Sequence, residues 1–162
     1  MATRRFIDTQ ACPEAVLEAE TGDAATLEST LGYPYFWFRA TWRFRWPFAG
    51  RSLTVDCLVD ARNGNAATVD AFTITDAARS DVACIECRTE AGDAEKCAVR
   101  FLRSLLVRRL RCPGLAHLDV NSLGLVHRQL GVVRTRAGRF LVDPATRRGF
   151  PLADSRGISK PC

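Results

Sequence analysis

Between Tyr35 and Asp60 the chain alternates apolar and polar residues so regularly that one arrangement dominates. Phe36, Phe38, Ala40, Trp42, Phe44 and Trp46 fall on one side, and Tyr35, Trp37, Arg39, Thr41, Arg43 and Arg45 on the other. A period of two is the signature of a strand with one buried face. Pro47-Phe48-Ala49-Gly50 reads as a turn, after which Leu53, Val55, Cys57 and Val59 alternate with Thr54, Asp56, Leu58 and Asp60. A turn centred there sets Phe44 opposite Leu53, Trp42 opposite Val55, Ala40 opposite Cys57 and Phe38 opposite Val59. A slip of one residue would turn every apolar side chain outward. Asn63-Gly64 predicts a tight turn, with a third strand over residues 66–72 returning along the second.

Helical patterns flank this meander. Pro13 to Leu31 reads as a helix stopped by Gly32 and Pro34, with Gly22 able to divide it. Asp93 to Cys112 carries Ala94, Ala98, Phe101, Leu102, Leu105, Leu106 and Leu110 as an apolar stripe at helical spacing, ended by Cys112-Pro113-Gly114. Residues 118–120, 125–134 and 140–143 read as further strands, with a turn at Arg136 to Arg139. The expected fold is therefore α+β, an antiparallel sheet with helices packed on one face. The 162 residues are expected to form a single domain, long enough to bury roughly 70% of the unfolded surface without a stapling metal or disulfide.

The order of elements suggests two similar helix-plus-meander halves, 10–75 and 90–152. Ala49-Gly50-Arg51 matches Ala137-Gly138-Arg139, and Leu58-Val59-Asp60 matches Leu141-Val142-Asp143. The spacing between the two triplets differs from half to half. The segment Gly138 to Phe150, GRFLVDPATRRGF, resembles the strand, Val-Asp-x-x-Thr turn and strand of PepSY-type small α+β modules. That pattern usually places glycine after the threonine, where this chain has Arg147. Gly64 restores the glycine in the first half, with Asn63 in the place of threonine. The resemblance implies a non-enzymatic role in binding or inhibiting another protein, with no catalytic residues to carry over.

A mild positive excess is compatible with acidic partners, but charge alone does not decide among them. The net charge is +5 and the isoelectric point about 9.0, and of the twenty-three basic residues only Lys96 and Lys160 are lysine. Arginine suits two-pronged pairing with carboxylates and phosphates, although a GC-rich genome would enrich it whatever the function. Two basic surfaces are expected. One is the strand face of Tyr35, Trp37, Arg39, Arg43 and Arg45; the other is the polar side of the second helix, with Arg100, Arg103, Arg108 and Arg111. Aromatic and arginine side chains together anchor protein interfaces, and also form platforms for single-stranded nucleic acid. Another protein is the expected partner and nucleic acid the alternative. Unused strand edges would also allow a homodimer. A solvated helix face and a second buried layer over Trp37 are the plain structural readings of the same residues.

Catalytic and metal chemistry find less support. Cys84-Ile-Glu-Cys87 with Cys97 and Cys112 offers four thiols, but one helix would hold Cys97 and Cys112 roughly 22 Å apart. They cannot share one tetrahedral ion. Zinc or thiol chemistry centred on Cys84 and Cys87, with His117 or His127, stays open as an alternative, and otherwise no cofactor is expected. His127 is expected to face solvent and His117 to pair with Asp119. Asp56, Asp60 and Asp143 are expected to neutralise cross-strand arginines. Neither histidine lies in a nucleophile elbow, and the chain has no phosphate-cradling glycine loop, so a non-enzymatic role is favoured. The seven cysteines, an odd number, and the lack of an apolar run of signal-peptide or membrane-spanning length lead to an expected cytoplasmic location without membrane insertion.

Overall fold

The computed structural model describes residues 4–8, 12–45, 50–70, 72–77, 82–110 and 116–152. In chain order these form β1 (Arg4–Ile7), α1 (Pro13–Thr21), β2 (Thr26–Phe44), β3 (Ser52–Asp60), β4 (Ala66–Val69), β5 (Ile74–Ala77), β6 (Ala83–Cys84), α2 (Ala91–Leu110), β7 (Ala116–Thr135), β8 (Gly138–Asp143) and β9 (Arg148–Leu152). The strands make one mostly antiparallel sheet with the hydrogen-bonded order β4-β3-β2-β7-β1-β5. In addition β6 pairs in parallel with β2, β8 pairs with β7, and β9 with β8.

Residues 26–31, expected to be helical, are strand. The helix stops at Gly22, whose φ of 73° is left-handed and whose N–H donates to the Glu18 carbonyl. Beyond it, Glu28 is held by Arg134 of β7 and Arg139 of β8, the latter at 2.7 Å. Tertiary pairing therefore overrides a local helical pattern. Pro34 interrupts β2 without ending it, because the strand changes neighbours there: Leu31 and Gly32 pair with β6, and Tyr35 to Arg43 pair with β3. A residue lacking an N–H is tolerated where a ladder hands over.

The chain divides into two compact units. The first comprises Met1–Tyr33, Thr75–Ile85 and Arg128–Cys162; the second comprises Pro34–Ile74 and Glu86–His127. The long strands β2 and β7 each contribute to both. In the second unit, Phe38, Ala40 and Trp42 of β2 and Cys57 and Val59 of β3 are buried with Ala94, Ala98, Leu102 and Leu106 of α2. The small side chains at 94 and 98 permit a close approach of helix to sheet. Full burial of each large apolar side chain contributes about 1.5–3 kcal/mol relative to exposure.

The second unit pairs the strands as the alternation demands, but two residues away from the expected register. Trp42 lies opposite Leu53, Ala40 opposite Val55, Phe38 opposite Cys57 and Phe36 opposite Val59. A slip of two keeps every face, so the apolar pattern cannot distinguish the registers. What sets the register is the connection, which the Phe44 N–H closes on the Arg51 carbonyl at 3.1 Å. Residues 47–49 of the expected turn, and Trp46 before it, lie outside the described residues.

In the first unit α1 lies against β8 and β9, and Leu17 is buried with Val133 of β7 and Val142 of β8. Two glycines make room for it. A Cβ at Gly131 would stand 2.4 Å from Cβ of Pro13, and one at Gly149 would stand 2.9 Å from Cδ1 of Leu17. Each unit thus joins the helix of one sequence half to hairpin strands of the other, and the stretches 10–75 and 90–152 each supply both units.

The repeated triplets occupy matching positions. Asp60 Oδ1 accepts the N–H groups of Arg62 and Asn63, and Asp143 Oδ1 accepts those of Ala145 and Thr146. Four residues after each aspartate the backbone turns left-handed, at Gly64 (φ 74°) and at Arg147 (φ 53°). Glycine is suited to that conformation and arginine is strained in it.

Arg147→Gly is therefore expected to leave stability unchanged or raise it by up to about 1 kcal/mol, despite the extra freedom glycine brings to the unfolded chain. Gly131→Ala should lower it by about 1–3 kcal/mol, because the Pro13 ring cannot swing aside. Gly149→Ala should cost less, since it meets the flexible end of a leucine. Urea unfolding of the three variants tests this order.

Candidate binding surface on the outer face of β2

The odd-numbered residues of β2 point away from α2. Tyr35 lies opposite Asp60, Trp37 opposite Leu58, Arg39 opposite Asp56, Thr41 opposite Thr54, and Arg43 opposite Ser52. Trp37 is half-buried, its ring centroid 5.1 Å from that of Phe72 with the planes tilted by 54°. The Arg39 guanidinium sits 5.5 Å from the Trp37 centroid, within cation–π range. Arg39 also grips Asp56 with two hydrogen bonds, Nε to Oδ1 at 2.9 Å and Nη2 to Oδ2 at 3.2 Å. Those bonds, then the aspartate's charge, hold the guanidinium more firmly protonated than usual.

Further along, the Thr41 and Thr54 hydroxyls are 3.1 Å apart. Arg43 Nε lies 3.2 Å from Asp119 Oδ2, and His117 Nε2 lies 3.1 Å from the other oxygen of the same carboxylate, as expected for His117. The surface is a band of tryptophan, phenylalanine, threonines and arginines in which Arg39 and Arg43 are each paired with an aspartate. Tyr35 is half-buried and Arg45, just past the strand, is exposed. Phe72, from the connection between β4 and β5, and Asp119, from β7, join the band, which the alternation of β2 alone does not reveal.

The arginines of α2 form a separate group. Arg100, Arg103 and Arg108 are exposed, and Arg111 lies outside the described residues. Among the described residues none of the three has an acidic partner.

The expected carboxylate roles hold for Asp56, which neutralises Arg39, and for Asp143, which lies 3.1 Å from Arg128; Asp60 also accepts the backbone N–H groups of Arg62 and Asn63 in its own turn. His127 is not solvent-facing as expected: it is 6% exposed, in a stretch of β7 where Val126, Leu130, Gly131 and Val132 are also buried. Both faces of β7 are covered there, which local alternation does not disclose.

Among the cysteines, Cys84 donates weakly to the Val82 carbonyl at 3.6 Å, and Cys87 is exposed. Partial burial nevertheless pushes the Cys87 thiol up, the opposite of what activates a thiolate. Among the described residues no three histidine, cysteine or acidic side chains gather as metal ligands. Cys112 and Cys162 lie outside those residues. Comparison with family models, curated proteins and solved structures finds no match to the chain.

Cys57 is fully buried in the core, and burial pushes its thiol from an ordinary 9.0 up to about 11. The folded chain therefore keeps a proton that the unfolded chain loses between those values. Stability contributed by the neutral thiol is intact below pH 9 and falls as pH rises towards 11, by about 2–3 kcal/mol. Urea midpoints measured from pH 8 to 11 should fall more steeply for the wild type than for Cys57→Ala.

Proposed function

We propose that this protein is a non-enzymatic binding module that docks another protein, in the cytoplasm, through the outer face of β2. The observation behind this reading is the pairing of Arg39 with Asp56 and of Arg43 with Asp119 beside the Trp37 and Phe72 rings. A platform for nucleic acid needs cations available to phosphate, because neutralising phosphates supplies most of such an affinity. Here those two guanidiniums are already matched by carboxylates, while the tryptophan remains half-exposed beside them. A neutralised aromatic and arginine band suits a protein partner, whose interface is centred on tryptophan, tyrosine and arginine anchors. The resemblance of the 138–150 segment to PepSY-type modules points the same way, towards binding or inhibition of a protein.

The test is affinity capture from nuclease-treated cell extract, comparing the wild type with a Trp37→Leu, Arg39→Ala double variant of unchanged circular dichroism. A protein retained by the wild type and lost from the variant is expected. Equal retention by both would remove this surface from the account, and salt-sensitive retention of nucleic acid by the untreated sample would favour the other partner class.

A further inference from the structure

The second basic surface differs in kind from the first. At 3.6 residues per turn, Lys96, Arg100, Arg103 and Val107 fall within an outward stripe about 60° wide, opposite the buried Ala94, Ala98, Leu102 and Leu106. A groove of about 660 Å³ runs along this face, lined by Gly92, Glu95, Lys96, Val99, Arg100 and Arg103. Nothing lies within 4 Å of a Cβ built at Gly92, so the groove is open at its N-terminal end.

The charges on this face are not arranged for helix stability. Lys96 and Arg100 are four residues apart and Arg100 and Arg103 three apart, so like charges are neighbours, and each such pair opposes the helix. Lys96 is met by Asp93 at 2.7 Å, but among the described residues Arg100 and Arg103 have no carboxylate. Glu95 lines the same groove, one turn before Val99 rather than beside either arginine. Val107 is 48% exposed, and the stripe has no aromatic side chain on which a base could stack.

We infer that the outward face of α2 docks an acidic, partly apolar segment of a protein, with Arg100 and Arg103 taking its carboxylates and Val99 and Val107 its apolar side chains. Charge complementarity favours an anionic ligand, and the lack of aromatics favours a peptide over a single-stranded nucleic acid. The inference uses residues that the outer face of β2 does not, so either surface can fail without the other.

The probes are a fluorescent peptide of alternating glutamate and leucine and an oligothymidylate of the same net charge, followed by anisotropy at low and physiological salt. The peptide is expected to bind more tightly. Arg100→Glu with Arg103→Glu should weaken it by about ten-fold or more, and Glu95→Gln should tighten it by about two-fold. If the charge-reversed variant loses its folded circular dichroism, Arg100→Gln with Arg103→Gln replaces it, with the same direction expected. No peptide binding, binding unchanged in a folded arginine variant, or tighter binding of the oligothymidylate would each overturn the inference.

Discussion

The burial of Phe38, Ala40 and Trp42 beneath α2 fixes which way every side chain of β2 points, and much of the second unit follows from it. Because the period of a strand is two, placing those three residues in the core places Trp37, Arg39, Thr41 and Arg43 on the opposite face. The same burial selects the partners on β3, where Cys57 and Val59 join the core, and Asp56 and Leu58 meet Arg39 and Trp37. The candidate surface is thus a consequence of the core. Trp37, Arg39, Thr41 and Arg43 stand on β2, which lies between β3 and β7 in the sheet, rather than on a loop.

The two groups of arginine behave differently for a reason rooted in secondary structure. On the sheet, a cross-strand neighbour lies directly opposite, and Asp56 is set there for Arg39 by the register of β2 with β3. On α2, a neutralising residue would have to come three or four positions away, and around Arg100 and Arg103 those positions hold Lys96, Cys97, Val99, Ser104, Leu106 and Val107 besides the two arginines themselves, with no acid among them. Arginine content alone says little about available positive charge. The arrangement of carboxylates around it decides which surface can receive an anion.

Much of this was legible in the sequence, and what was not has identifiable causes. The alternation from Phe36 to Phe44 and the stripe from Ala94 to Leu106 told which faces are buried, since both depend on periodicity alone. The register of β2 on β3 was not legible, because a two-residue shift satisfies the same pattern and moves Asp56 from Thr41 to Arg39. Residues 26–31 look helical locally and become strand by pairing within the sheet, where Glu28 meets Arg134 and Arg139, more than a hundred positions away. The repeated Leu-Val-Asp triplets were visible as motifs. That the halves exchange their helices across two units was not, because it depends on β2 and β7 running on where the pattern suggested a helix and a break.

The most direct measurement places a photo-crosslinking residue at Thr41, between Arg39 and Arg43 on the outer face of β2, and another at exposed Thr146 in the turn after β8. Irradiation in cell extract should attach a protein to the chain labelled at 41 and leave the chain labelled at 146 without that adduct. Identical adducts at both positions, or attachment of nucleic acid at 41, would contradict the account of this face as a protein-docking surface.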